Sequence, residues 1–145
     1  MRRLMLAVLV ALVAVLASRC EPALDDPLRE ARDRLVGTWL RDYEQQGTRV
    51  RRILVLEADG TFREMSRSLG PAQAGEQHEH HGEWHYDGTN LKRRYTLIDG
   101  KQPGAPMTPY AAFQVRFTGS NAFVGVNHVR KLEVRYERVT DGTQP

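Results

Sequence analysis

The chain has 145 residues, with 21 Lys and Arg against 18 Asp and Glu, and a single cysteine. One cysteine excludes an intramolecular disulfide, a Cys-x-x-Cys metal site and a dithiol redox pair. The net charge of +3 hints at a nucleic-acid partner, but the first segment of the chain removes that hint.

Residues 1–19 have the layout of a secretory signal: Arg2 and Arg3, an uncharged run from Leu4 to Ala17, then small residues. The run of roughly 14 residues is shorter than the ~20 needed to span a bilayer. Arg2, Arg3 and Arg19 precede Cys20 and no acidic residue does. A chain beginning at Cys20 therefore keeps 18 basic side chains against 18 acidic ones, a net of zero. That balance excludes a nucleic-acid partner argued from overall charge. Cys20, directly after an exported apolar run, is expected to carry a lipid, with 20–26 as a tether; the alternative is a cut after Ala17 that leaves Cys20 an exposed thiol. The expected location is the cell envelope, membrane-anchored and facing the periplasm or the exterior.

The globular part, 27–140, is long enough for one core and too short for two, and 141–145 is a short tail. Asp26-Pro27 offers a helix N-cap followed by proline at the first helical position, Leu28, Ala31 and Leu35 recur at helical spacing, and Gly37 ends the segment. From there the period is two. Strands are expected near 38–45, 49–57, 61–67, 78–86, 90–97, 110–117, 121–127 and 131–139, most of them joined by short turns such as Gln46-Gly47, Asp59-Gly60, Asp87-Gly88 and Thr118-Gly119-Ser120. Connections that short force antiparallel neighbours. Eight of them in succession predict an all-β, eight-stranded antiparallel up-and-down barrel with one short N-terminal helix. Leu69–Gln77 and Asp99–Pro109 are longer and read as rim loops.

Leu35-Val36-Gly37-Thr38-Trp39, Ala58-Asp59-Gly60-Thr61-Phe62, Gly82-Glu83-Trp84 and Arg135-Tyr136-Glu137-Arg138-Val139 together resemble bacterial lipocalin-like domains. The resemblance implies that Trp39 and Arg138 close one end of a barrel by a cation–π contact. It also implies a small hydrophobic or amphipathic ligand.

Turn geometry assigns faces. A two-residue loop at Asp87-Gly88 pairs Tyr86 with Thr89, Trp84 with Leu91, Gly82 with Arg93 and His80 with Tyr95, and puts Trp84, Leu91, Arg93, Tyr95, Leu97, His80 and His78 on one side. At Asp59-Gly60 a three-residue loop, with Gly60 left-handed, pairs Phe62 with Leu56 and turns Leu54, Leu56, Phe62 and Glu64 inward. The expected lining is Trp39, Tyr43, Trp84, Tyr95, Phe113, Val115 and Phe117, with Arg93, His80 and Arg41. Trp84, Tyr95, Arg93 and His80 are the expected ligand-binding residues, for a molecule with an apolar body and an acidic head. Alternatively the interior cations pair with Glu64 or with backbone groups, and the barrel is filled.

The run Gln77-His78-Glu79-His80-His81-Gly82-Glu83-Trp84-His85 supports a second reading, in which His78, His80, His81 and His85 bind zinc or another transition metal. A third reading is a protein-interaction module using the rim loops. No Gly-x-Ser-x-Gly elbow, phosphate-binding loop or dinucleotide fingerprint is present, so an enzyme is not expected, and no cofactor is implied.

Overall fold

A computed structural model describes residues 26–70, 75–106 and 109–145. The signal segment, Cys20 and most of the tether lie outside the described residues. Helix α1 (Pro27–Leu35) is followed by β1 (Gly37–Gln45), β2 (Thr48–Leu56), β3 (Thr61–Ser68), β4 (Gln77–Tyr86), β5 (Asn90–Ile98), β6 (Tyr110–Phe117), β7 (Ala122–Asn127) and β8 (Leu132–Val139). The strands close in sequence order into one antiparallel barrel, as the turn lengths predict. No helix among the described residues is long and apolar enough to cross a membrane.

The two longest connections fall at the same end of the barrel. Strands β3 and β4, and β5 and β6, are joined at one rim, the open end, which also carries the Gln46-Gly47 hairpin. Gln46 and Gly47 both take positive φ (51° and 75°), the backbone of a tight hairpin turn whose twist matches that of its strands. At the other end α1 covers the barrel. Asp26 caps α1 by accepting a bond from the Leu28 amide at 3.0 Å, and Leu35 is fully buried. From α1, Arg32 lies 4.9 Å over the Trp84 ring and donates to the Ala58 carbonyl at 2.7 Å, while Arg34 lies 3.9 Å over Phe117. Beneath the helix, Trp39, Leu54, Leu56, Phe62, Trp84, Leu91, Phe123, Val134 and Tyr136 form the main core.

Trp39 and Arg138 are cross-strand neighbours, and the guanidinium lies 4.2 Å from the indole centroid. Arg138 also donates to the carbonyls of Arg34 and Val36, and the Trp39 indole N–H donates to the Leu35 carbonyl at 2.8 Å. One arginine thus satisfies the carbonyls that the helix end leaves without partners, and holds helix and barrel together. Gly37 makes this possible. Its φ is +127°, and a Cβ there would sit 2.4 Å from Arg138 Nη1, so only glycine lets the guanidinium pass on its way to Trp39.

Two registers were predictable and one moved. Phe62 pairs with Leu56 across a three-residue loop, with Gly60 at φ +90°, as expected. At the β4–β5 hairpin Tyr86 pairs with Leu91 and Trp84 with Arg93, a slip of two from the expected pairs. The Asp87 carboxylate accepts bonds from the amides of Thr89 (3.0 Å) and Asn90 (2.7 Å), so Asp87 begins the turn and lengthens it. A slip of two preserves every face, which is why Trp84, Arg93 and Tyr95 still point inward. Farther along, the register shifts again between His81 and Gly82, leaving Thr96 unpaired. Leu97 therefore falls opposite His81 and off the inner face, a correction to the expected set. Gly82 is the cause: a Cβ there would lie 1.9 Å from the Arg94 carbonyl oxygen, so the two backbones cross at a contact only glycine permits.

Closure is uneven. Strands β1 and β2 share nine paired positions, but β1 and β8 pair only at Thr38–Val139, Trp39–Arg138 and Leu40–Glu137, all at the helix-covered end.

Candidate functional site

Above the apolar core the barrel interior becomes charged. Arg93 (2% exposed) and Glu64 (3% exposed) form a buried ion pair, joined by a short contact between Nη1 and Oε2. The strands dictate this meeting, because Leu54 pairs with Glu64, and Glu64 pairs with His80, on one continuous inner surface. Arg93 is also boxed by aromatic rings, with Phe62, Tyr95 and Phe113 centroids 5.6–5.7 Å from its guanidinium carbon. The ring faces supply electron density that a single carboxylate cannot, which helps a buried guanidinium remain charged. Burial opposes the charge on Glu64, but Arg93, the His80 hydrogen bond and Arg52 outweigh it and hold the carboxyl far below the usual range. Burial likewise opposes the Arg93 charge, and Glu64 more than restores it.

Arg52 is the second cation. Its Nη1 is 3.6 Å from Glu64 Oε1, and its Nη2 donates to the Tyr43 hydroxyl at 2.8 Å. His80 Nδ1 is also 3.5 Å from Glu64 Oε1. Arg52 and His80 floor a cavity of about 580 Å³ at the open end, whose walls include Tyr43, Thr48, Val50, Ser66, Ser68, Glu76 and His78. The cavity is a built feature of the inner faces of β1–β4. Its lining is mainly polar.

Of the four expected ligand-binding residues, His80 alone lines this cavity. Arg93 and Tyr95 lie in the layer beneath, packed against Glu64 and against Phe62 (ring centroids 5.2 Å apart) respectively. Trp84 is deeper still, under α1, with its indole N–H donating to the Glu57 carbonyl at 2.9 Å. The alternative expectation, interior cations paired with Glu64, describes Arg93. Sequence reasoning missed Arg52 as a site residue, along with Ser66 and Ser68. The signal for them was present: Val50, Arg52, Leu54 and Leu56 alternate on β2, and the assignment of Leu54 and Leu56 inward carries Arg52 with it.

The four histidines divide between faces. His78 and His80 share the inner face with ring centroids 6.4 Å apart, and His78 Nδ1 bonds the Asp99 carboxylate at 2.8 Å. His81 turns outward to Glu79 (3.0 Å), and His85 is exposed on the outer face. Among the described residues no three His, Cys, Asp or Glu side chains converge as a metal-binding group.

Fold and site together define an eight-stranded up-and-down barrel, sealed by a helix at one end and hollowed into a polar, arginine-floored cavity at the other. Its topology is compatible with a lipocalin-like fold. No protein-family model and no curated protein matches the sequence.

Proposed function

We propose that this chain is an exported, lipocalin-like binding protein that takes a small amphipathic molecule into the open end of its barrel. The cavity at that end, set above a core filled by its own side chains, carries the reading. The polar walls favour an amphipathic ligand over a purely hydrophobic one, with Tyr43 and Val50 available to its apolar part. Binding rather than catalysis is supported by the site's titratable centre: the Glu64 carboxylate is already held by Arg93, so it is no free acid or base.

Cys20 is proposed as the point of lipid attachment. The described chain enters at α1, over the sealed end; a lipid on Cys20 would then hold that end toward the membrane and leave the cavity mouth facing away from it. Native mass spectrometry of protein purified from its own envelope should show a bound molecule of cavity size; protein recovered uniformly without one would overturn the reading. Incorporation of radioactive palmitate, abolished in Cys20→Ser, tests the anchor separately.

A second reading, a rim that binds another protein, rests on one observation. Val129 is 94% exposed, and Tyr110 and Leu132 beside it at the open end are exposed as well.

A further inference from the structure

The interior charges do not balance. Two guanidinium groups, Arg52 and Arg93, face the single buried carboxylate of Glu64. Arg93 has first claim on it, through the short contact and three aromatic rings. Arg52 is left at ion-pair distance only, beyond a good hydrogen bond. Of its five N–H donors one is used, toward Tyr43, and its buried Nε has no partner among the described residues. It stands 22% exposed at the cavity floor, so its charge faces the space a ligand would fill.

The neighbouring strand deepens the imbalance. Arg41 is the cross-strand partner of Arg52, and like charges placed directly opposite destabilise a sheet. Both guanidiniums lie over the same Tyr43 ring, at 4.1 and 5.2 Å from its centroid. Among the described residues no carboxylate lies within salt-bridge distance of Arg41. Ser66, the cross-strand neighbour of Arg52, and Ser68 add hydroxyl donors on β3, and the carboxylate lining the cavity, Glu76, lies 3.5 Å from His78 Nε2.

We propose that the cavity is an anion receptor, and that its ligand carries a carboxylate whose head group docks on Arg52, with Arg41 as the flanking cation. A planar carboxylate matches the guanidinium fork, and one negative charge offsets the one surplus positive charge on the floor. The inference rests on the ligand-binding reading and names the chemical class of that ligand.

The test compares hexanoate with hexanol, which differ in the head group alone, by calorimetry and by side-chain nitrogen NMR of the arginines. Hexanoate should bind at least tenfold more tightly than hexanol and shift the Arg52 resonances, and inorganic phosphate should bind more weakly than hexanoate. Arg52→Gln should remove the preference for hexanoate, and Arg52→Lys should restore part of it. Because Arg52→Gln also withdraws a partner from Glu64, Arg41→Gln serves as a second variant that leaves the Glu64 network intact; it should weaken hexanoate severalfold and leave hexanol unchanged. Equal binding of acid and alcohol would overturn the carboxylate inference and leave the cavity reading standing. Tighter binding of phosphate would overturn the choice of carboxylate. No perturbation of any cavity residue by either probe would overturn both readings.

Discussion

Glu64 and Arg93 show how a charge survives inside a barrel of this size. Removing two ions from water costs several kcal/mol each, and the pair is stable only while both members are present. Glu64→Gln should therefore destabilise the protein by about 3–5 kcal/mol near neutral pH, since Arg93 would remain buried beside a neutral amide. The pH dependence follows from the lowered carboxyl. A carboxylate held below its unfolded value of roughly 4.3 stabilises the fold fully above that value and loses the contribution as pH falls toward its folded one. Thermal melts across the acid range should show the wild-type advantage over Glu64→Gln narrowing below about pH 4. A constant gap would mean that Glu64 acts through packing rather than charge. Much of this layer could be read from the sequence, because inner-face parity placed Glu64, Arg93 and His80 together. What parity could not supply was depth. Alternation says that Trp84 and His80 share a face but not that one lies beneath a helix and the other beside a cavity.

At the scale of elements, two contacts between backbones and side chains decide how the pieces fit. Gly82 is the crossing point of β4 and β5, and a methyl there would meet both the Arg94 carbonyl and, at 2.6 Å, the Phe62 ring. Gly82→Ala should cost about 3 kcal/mol or more, at the upper end of overpacking penalties, measured by chemical denaturation. The same residue explains why the bulge at Thr96 was invisible in the pattern: polar–apolar alternation continues through it, and only the missing Cβ marks it. At the sealed end Arg138 joins α1 to β1. Arg138→Met keeps an unbranched apolar stem but removes the cation–π contact and both carbonyl bonds, so a loss of about 2–4 kcal/mol is expected. Tryptophan fluorescence should report it, because Trp39 and Trp84 both pack beneath the helix. This closure was legible beforehand as a resemblance. The structure adds its mechanism, a glycine that clears the path of the guanidinium.

For the whole molecule, strand count, order and direction followed from turn lengths and a period of two, and strand limits agree to within a residue or so. Closure followed less directly, because no local pattern states how far the first and last strands run together. Only three positions join them, against nine between β1 and β2. Hydrogen exchange should reveal the difference: amides of 41–45 and 132–136 that point across this seam should exchange well before those of Leu54 and Leu56, while Trp39 remains protected. Uniform protection around the circumference would show that the seam holds along its whole length.

That short seam gives the barrel a working geometry resembling a purse. The neck is stitched beside the helix, and above it one side of the mouth is left unsewn. Widening there breaks no ladder between β1 and β8 beyond Leu40 and leaves the packed base undisturbed. Tyr43 and Arg41 stand on the free flank of that slit and Arg52 on the strand behind it. A guest of greater girth could therefore be admitted by parting β1 from β8, at little cost to the fold that carries it.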